Sequence, residues 1–300
     1  MKRIIFRGVG TAIATPFDEY NNINYEEFKR LLEFQINNGA QAIIVCGTTG
    51  EASTMTIEEK QGLIKYCIDA VNRRIPVIAG VGSNNTKEVI YNVKYAENIG
   101  VDGLLIVTPY YNKTTQEGLI QHYKLIASET KLPIILYNVP SRTGVDIKPE
   151  TYFELSKIEN IVATKEACGD VSKIATIKRL CGNNLNIYSG NDDQILPVLT
   201  LGGIGVISVL SNIMPQYVFN MIDYYFNRDI EKATKMQIDA IPLINSLFEE
   251  VNPIPIKAAL EIEGFYFGKP RMPLVECSEE LKNKIKKEMN DLGTFSKNVK

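Results

Sequence analysis

The residue with the clearest chemical potential is a lysine at the end of an apolar run. Lys165 follows residues 161–164, whose β-branched and aliphatic side chains are typical of a strand covered on both faces. Burial at a strand end disfavours the ammonium form of a lysine, and the neutral amine is the form that attacks a carbonyl to make an imine. The alternatives are a lysine that extends to solvent, or one that pairs with Glu166 or Asp170.

A tyrosine and an arginine stand at the end of a second apolar run. Tyr137 ends residues 134–137, and Arg142 follows five positions later. The chain has a single histidine, His122, so a tyrosine is a candidate for moving protons. The guanidinium of Arg142 is a planar fork that suits a carboxylate. Taken alone, the two residues are better explained as a core tyrosine and a loop arginine in a surface ion pair.

Two further strand ends carry hydroxyl groups. Thr48 and Thr49 lie between glycines in residues 47–51, directly after the apolar run 42–46. Such a loop can hold a small carboxylate with its backbone N–H groups and hydroxyls, although a helix-capping turn explains it about as well. Tyr110 and Tyr111 follow the run 103–107, where paired tyrosines more often pack or form an interface.

The composition excludes several classes of function. There are 33 basic and 35 acidic residues, a formal charge of −2, so no basic excess points to nucleic acid. A single histidine and the absence of Cys-x-x-Cys spacing argue against a metal site, and no phosphate-binding loop or complete dinucleotide fingerprint occurs. The five cysteines are an odd number, which predicts reduced and mostly buried thiols: Cys46, Cys67, Cys168, Cys181 and Cys277.

The sequence also predicts a cytoplasmic protein without a membrane span. The apolar run near Met1 is too short for an export signal. Residues 194–222 carry no formal charge and are long enough to cross a bilayer, but Pro197, Pro215 and three glycines interrupt them. We therefore expect helix, turn, strand and helix there, inside a water-soluble fold.

The elements that must position these residues alternate along the chain. Eight short apolar runs predict strands at residues 10–15, 42–46, 77–79, 103–107, 134–137, 161–164, 186–188 and 205–209. Amphipathic segments between them, such as 25–37 and 57–71, predict helices. The pattern predicts an α/β protein with a closed (β/α)8 TIM barrel, and the alternative is a doubly wound open sheet.

The end of the chain follows a different pattern. No strand-like run occurs after about Tyr224, and helices are predicted at residues 230–251, 255–262 and 277–292. We therefore divide the chain into a barrel, residues 1–224, that contains the active site, and a C-terminal helical region, residues 225–300.

The four groups together resemble a known family. The threonine loop at 47–51, the segment 137–144 and Lys165 are similar to those of the dihydrodipicolinate synthases (4-hydroxy-tetrahydrodipicolinate synthases). These enzymes belong to the pyruvate-dependent class I aldolase superfamily that includes N-acetylneuraminate lyase. The resemblance extends from residues 8–12 to 252–257, and Arg142 favours the synthases over the sugar-acid lyases.

The resemblance implies a reaction and its catalytic residues. It implies that pyruvate condenses with L-aspartate-4-semialdehyde to 4-hydroxy-2,3,4,5-tetrahydrodipicolinate, on the route to diaminopimelate and lysine. Lys165 would form the imine with pyruvate and Tyr137 would be the general acid/base. Thr48 would relay protons between Tyr137 and Tyr111, with Tyr111 reaching in from a neighbouring subunit. No metal or organic cofactor is implied, and the assembly would be a homotetramer built as a dimer of dimers.

The resemblance also implies which residues bind the substrates. Thr49 would hold the carboxylate of pyruvate, and Arg142 that of the semialdehyde. Gly190 and the backbone of Ile207 would line the site.

The chain departs from the family pattern at two places. Thr164 replaces the usual aliphatic residue before the lysine, and strand alternation predicts that it points away from the barrel interior. Lysine-inhibited members commonly carry histidines where this chain has Ile57 and Lys60. A cation at position 60 would repel lysine, so we expect feedback inhibition to be weak or absent. The rest of the expected pocket wall is present as Gly82, Asn84, Glu88 and Tyr110.

Other functions stay open at this point. A sugar-acid aldolase or N-acetylneuraminate lyase would share Lys165 and Tyr137 and differ in its second substrate. A catalytically silent barrel would be expected to lose one of those two residues. A pyridoxal-phosphate enzyme would also use a lysine, but it would be coloured.

Overall fold

Eight parallel strands close into a barrel in chain order. The computed structural model describes residues 2–293. Each strand pairs with the next along the chain, and the last pairs with the first through Gly8 and Gly205. The strands are β1 (Gly8–Ala12), β2 (Ala42–Val45), β3 (Val77–Gly80), β4 (Gly103–Val107), β5 (Ile134–Asn138), β6 (Ile161–Glu166), β7 (Asn186–Ser189) and β8 (Gly205–Ser208). The predicted (β/α)8 barrel is thus confirmed, and the open sheet is wrong.

Helices surround the barrel and form the C-terminal region. The helices are α1 (Tyr25–Asn37), α2 (Ile57–Val71), α3 (Thr86–Ile99), α4 (Gln116–Ser128), α5 (Pro140–Thr143), α6 (Pro149–Ser156), α7 (Val171–Cys181), α8 (Ile195–Thr200), α9 (Pro215–Phe226), α10 (Ile230–Ser246), α11 (Ile254–Ile262) and α12 (Glu279–Leu292). Single-turn helices lie at Ala52–Thr54, Asp192–Gln194 and Leu210–Asn212. Thr56 begins α2 with a capping box, in which its hydroxyl accepts from the N–H of Glu59.

Strand alternation divides the apolar side chains into two layers. The smaller layer fills the barrel with residues such as Ile44, Ile78 and Leu105, and Phe6 stacks on Tyr188 with ring centroids 4.3 Å apart. The larger layer lies between the strands and the surrounding helices. Along each strand, side chains alternate between the outer layer and the barrel interior. Lys165 and Tyr137 lie on the interior side.

Only β4 has its predicted bounds; five strands differ from the prediction by one residue at one end, and β1 and β6 differ by more. β1 begins at Gly8 rather than Gly10, because residues 8–11 pair with β8. β6 extends through Lys165 and Glu166, which pair with Tyr188 and Ser189 of β7. Lys165 thus lies inside the strand and has a more rigid backbone than a residue that follows it.

The predicted boundary at residue 224 falls inside a helix. α9 spans Pro215–Phe226, and α10 packs against both α9 and α12. The predicted helix 230–251 ends earlier, at Ser246, and its final residues form turns. α9 therefore packs both against β1 of the barrel and against α10 of the C-terminal region.

The uncharged segment 194–222 folds as α8, β8 and α9, in agreement with the sequence analysis. Within residues 2–293, every helix is too short or too polar to span a lipid bilayer.

Candidate active site

Lys165 is buried at the carboxyl end of the barrel without an ionic partner. Its side chain belongs to the interior face, the residue is 5% exposed, and its Nζ lies 4.4 Å from the centroid of the Tyr137 ring. No carboxylate within residues 2–293 forms a salt bridge with it. Both alternative explanations, a solvent-exposed lysine and a pair with Glu166 or Asp170, are therefore wrong. Asp170 instead caps α7 by accepting from the N–H groups of Ser172 and Lys173.

The neighbours of Lys165 on β6 point to the outside of the barrel. The Thr164 hydroxyl donates to the Tyr152 hydroxyl at 3.3 Å, and Tyr152 donates to Glu166 at 2.7 Å. Asn138 donates to the other Glu166 oxygen, and the Lys173 ammonium lies 3.7 Å from Glu166. Burial raises the pKa of Glu166, although Lys173 and these donors oppose the shift. The predicted outward direction of Thr164 is confirmed, and Glu166 is directed away from Lys165.

Tyr137 and Thr48 line one cavity of about 460 Å³ at this end of the barrel. Tyr137 is the fourth residue of β5, directly beside Lys165 in the strand register. The cavity also extends to Ile57, Lys60 and Glu88, so it connects two of the candidate catalytic residues with the wall expected to bind a regulator, whereas Lys165 is not among its lining residues.

Asn252 connects the two candidate carboxylate-binding residues. Its side-chain amide donates to the Thr49 hydroxyl at 3.1 Å, and its backbone carbonyl accepts from Arg142 at 3.1 Å. Thr49 is buried, whereas Arg142 is exposed on the short helix α5. The arrangement places a buried hydroxyl and an exposed guanidinium on opposite sides of one asparagine.

Tyr111 projects from a loop that hydrogen bonds hold in place. Tyr111 is 92% exposed and has a left-handed backbone, with φ of 70°. The adjacent carbonyl of Tyr110 accepts from Asn84 and from the N–H of Asn112, at 3.1 and 2.9 Å. A non-glycine residue in the left-handed region is uncommon. Within one chain it does not meet Thr48 or Tyr137.

The last two predicted site residues lie at the ends of β7 and β8. Gly190 follows β7 and donates its N–H to the Glu166 carbonyl at 2.8 Å. A side chain at Gly190 would approach the Ala167 Cβ to 2.7 Å, so this position requires glycine. Ile207 is fully buried within the interior layer and pairs with Gly10. Both residues thus lie on the same end of the barrel as Lys165.

The structure adds a buried carboxylate that the sequence analysis missed. Asp192 accepts from the N–H groups of Val209 and Leu210, both at 2.9 Å, through one of its oxygens. Burial raises its pKa, and the positive charge of Lys165 is among the effects that oppose this. The signal was available, because Asp192 follows the seventh strand at the catalytic end.

The titratable groups of residues 2–293 outside the site do not form a metal centre. Within the described part of the chain, no three His, Cys, Asp or Glu residues are grouped so that they could hold a metal ion. All five cysteines are free, four of them buried and Cys168 half-buried. Burial between α3 and α4 lowers the pKa of His122 to about 4, and its Nδ1 lies 2.9 Å from the Thr86 hydroxyl.

Sequence comparison connects this geometry to one family. Residues 5–292 match the model of the dihydrodipicolinate synthetase family. A protein of Clostridium acetobutylicum named 4-hydroxy-tetrahydrodipicolinate synthase 1 is 52% identical over 289 residues, which cover 96% of this chain and 98% of that protein.

Structural comparison gives the same result. The crystal structure of dihydrodipicolinate synthase from Thermotoga maritima has a TM-score of 0.95 and 42% identity, covering 97% of this chain and 100% of that one. The enzyme from Cyanidioschyzon merolae, solved with lysine bound, has a TM-score of 0.94 and 38% identity, covering 97% and 100%. The matched regions include every candidate site residue, and the chain belongs to the dihydrodipicolinate synthetase family.

Proposed function

We propose that this enzyme condenses pyruvate with L-aspartate-4-semialdehyde to form 4-hydroxy-2,3,4,5-tetrahydrodipicolinate, in diaminopimelate and lysine biosynthesis. The observation that carries the proposal is the buried Lys165, whose side-chain nitrogen lies against the Tyr137 ring and forms no salt bridge within residues 2–293. A lysine in an ion pair would be held as the ammonium, which is not a nucleophile. The family relationship supplies the identity of the two substrates.

The reaction proceeds through an imine on the enzyme. The Lys165 amine attacks the ketone carbon of pyruvate, and water leaves to give a protonated imine. This cation accepts electrons when a methyl proton departs, and an enamine forms. The enamine carbon then attacks the aldehyde carbon of the second substrate. Finally the amino group of that substrate attacks the imine carbon, the ring closes, and Lys165 leaves as the free amine.

The surrounding residues move protons and bind carboxylates. Tyr137 is the general acid/base, and Thr48 relays protons between it and Tyr111 of a neighbouring subunit. The shared cavity wall of Tyr137 and Thr48 supports the first half of this relay. The exposure of Tyr111 supports the second half, because a side chain that projects 92% into solvent is available to another subunit.

Two residues would bind the substrate carboxylates. Thr49 binds the carboxylate of pyruvate and Arg142 that of the semialdehyde. Gly190 and the backbone of Ile207 line the space between the two substrates.

The same proposal covers cofactor, assembly and location. The imine supplies the electron sink, so the reaction proceeds without a metal or an organic cofactor. The enzyme assembles as a homotetramer, a dimer of dimers in which Tyr111 completes the partner's site. Five free thiols support a reducing compartment, and we place the enzyme in the cytoplasm.

Borohydride trapping tests the central step. Addition of borohydride with pyruvate should attach a reduced pyruvyl group to the peptide that contains Lys165 and abolish activity. Lys165→Arg is the matched variant, because it keeps the positive charge and cannot form the trapped amine. A label on Lys257, or no label, would contradict the mechanism.

A substrate comparison separates this function from the related lyases. Purified enzyme should consume aspartate semialdehyde in the presence of pyruvate, and it should leave N-acetylneuraminate and 2-keto-3-deoxy acids uncleaved. Cleavage of a sugar acid without semialdehyde condensation would replace the proposed function by that of an aldolase.

A further inference from the structure

The threonine loop ends on a buried glutamate with an uncommon backbone. Glu51 has φ of 54°, the left-handed region, and its residue is 2% exposed. A non-glycine residue in this region costs free energy unless the surroundings hold it. The Glu51 N–H donates to the carbonyl of Thr48 at 3.1 Å, so the conformation of Glu51 affects where Thr48 lies.

A lysine of the C-terminal region holds this glutamate. The Lys257 ammonium lies 2.7 Å from the Glu51 carboxylate, with side chains 2% and 0% exposed. Lys257 belongs to α11, and its ammonium also lies 4.4 Å from the centroid of the Phe17 ring. Burial lowers the pKa of Lys257, while the Glu51 carboxylate opposes that shift. The desolvation of two charges usually offsets much of their attraction, so such a pair is a weak contributor to stability.

The same region contacts the loop at two more points. The second Glu51 oxygen accepts from the Arg271 N–H at 2.9 Å, and the Arg271 guanidinium makes paired contacts of 2.8 and 2.6 Å with Glu59 of α2. Asn252 donates to the Thr49 hydroxyl at the middle of the loop. The loop is therefore held at its centre and its end by residues about 200 positions away in sequence.

We propose that Lys257 is a positioning residue of the active site: through Glu51 it sets the position of Thr48 and of Thr49, which binds the carboxylate of pyruvate. The inference rests on the proposed function for the identity of that carboxylate. The ion pair contributes little to the stability of the fold. It does, however, hold the Glu51 carboxylate in one orientation, and Glu51 lies two positions after Thr49. Positional errors of about 1 Å in binding groups can cost two orders of magnitude in rate.

Two variants separate positioning from stability. Lys257→Met leaves the Glu51 charge buried and unpaired, which should lower Tm and raise the pyruvate concentration at half-maximal borohydride trapping at least tenfold. Lys257→Met with Glu51→Gln removes both charges, so Tm should recover towards the wild-type value. The half-maximal pyruvate concentration should stay at least tenfold higher, because the side chain that directs the loop is still absent.

A matched pair of variants controls for the loss of any lysine. Lys94 pairs with Glu129 at 3.0 Å, between the C-terminal halves of α3 and α4 and so near the other end of the barrel. Lys94→Met, alone and with Glu129→Gln, should leave pyruvate trapping unchanged. If the double variant at 257 and 51 recovers both Tm and pyruvate trapping, Lys257 has only a structural role and the proposal is wrong.

A measurement without substrate tests the role of Lys257 separately from the proposed condensation reaction. Amide hydrogen exchange of the peptide covering residues 47–55 should be at least tenfold faster in the double variant than in wild type. Unchanged exchange would contradict the inference even if the condensation assay succeeds. Faster exchange would support Lys257 as the holder of the loop even if the wild-type enzyme prefers another second substrate.

Discussion

At the scale of single residues, Tyr137 has an environment that suits proton transfer. It lies beside Lys165 in the strand register and faces a cavity large enough for the substrates. We propose that its hydroxyl takes the proton that leaves the pyruvate methyl group and later supplies one to the new alkoxide. The chain offers His122 as its one imidazole, and this side chain is buried between α3 and α4.

Tyr137→Phe should lower kcat by about 10²–10⁴, the range typical of a lost acid/base, while the fold is kept. Steady-state kinetics with both substrates measures this. Tyr123→Phe is the control, because the Tyr123 hydroxyl also donates a hydrogen bond, to the Ile106 carbonyl at 3.2 Å, but lies in the outer layer. A kcat reduction of less than threefold in Tyr137→Phe would refute the assignment.

Arg142 should control recognition of the second substrate alone. Its guanidinium is exposed and contacts the Asn252 carbonyl, so it is free to bind a further acceptor. Arg142→Ala should raise KM for the semialdehyde at least tenfold, about 1.4 kcal/mol, and leave borohydride trapping of pyruvate unchanged. Arg142→Lys should give an intermediate KM, because it keeps the charge and loses the fork. An unchanged semialdehyde KM in Arg142→Ala would reopen the sugar-acid lyase alternative.

At the scale of elements, the sequence predicted the strands better than their ends. All eight apolar runs form strands. Each strand is buried on both faces, so its residues form a continuous apolar run that is visible in the sequence. The start of β1 was missed by two residues, since Gly8 and Val9 are held by pairing with β8 nearly 200 positions away. No local pattern contains that contact.

The candidate site was predicted from residues at, or directly after, the ends of apolar runs. Lys165, Tyr137 and Thr48 all met this criterion. Asn252 and Lys257 did not, because they come from the C-terminal helical region and reach the loop only through tertiary packing. The sequence predicts that this region is a separate group of helices. In the fold it contacts the centre and the end of the threonine loop.

Helix α11 ends at a buried carboxyl group that should make stability depend on pH. Burial raises the pKa of Glu263 to about 7, from an ordinary value of 4.5, and one of its oxygens has no hydrogen-bond partner within residues 2–293. The folded state therefore favours the neutral acid. As pH rises from about 4.5 to 7, the unfolded chain loses this proton first, so the free energy of unfolding falls.

Glu263→Gln removes this ionisation and should raise the free energy of unfolding at pH 8 by about 2 kcal/mol more than at pH 4.5. Denaturant unfolding at the two pH values measures the difference. Glu231→Gln, on the exposed first turn of α10, is the control and should show no such difference. An equal effect of Glu263→Gln at both pH values would show that Glu263 is ionised in the fold.

At the scale of the whole molecule, the proposed sharing of the active site between subunits through the exposed Tyr111 can be tested by mixing variants. Tyr111→Phe should lower kcat as Tyr137→Phe does, and Lys165→Ala should be inactive. Mixing the two inactive chains should restore activity, because some sites then combine an intact Lys165 with an intact Tyr111. Native mass spectrometry confirms that mixed assemblies form. Mixed assemblies without activity would contradict a shared site.

The cavity lined by Tyr137 and Thr48 also contains the residues from which we predict the response to lysine. Ile57 and Lys60 of α2 line it together with Glu88 of α3 and Tyr110. Glu88 is half-buried and accepts from the Ser83 hydroxyl at 2.9 Å, so an acidic group for binding an ammonium is present. Ile57 has no hydrogen-bonding side-chain atom, and Lys60 is half-buried in the same wall.

Free L-lysine should therefore inhibit this enzyme weakly or not at all. Like charges ~4 Å apart at an effective dielectric near 20 repel by about 4 kcal/mol, and a net cost of about 1.4 kcal/mol already weakens binding tenfold. Solvent and the flexible stem of Lys60 reduce the repulsion without removing it.

A dose-response at saturating substrates measures the inhibition. Half-inhibition should require more than about 1 mM lysine, which corresponds to a binding free energy weaker than about −4.1 kcal/mol. Lys60→Gln removes the repelling charge and should lower the half-inhibitory concentration at least threefold, whereas Lys65→Gln, in an exposed pair with Asp69 on α2, should not. Half-inhibition of the wild-type enzyme at submillimolar lysine would mean that Lys60 turns away and that Glu88 is sufficient to hold the effector.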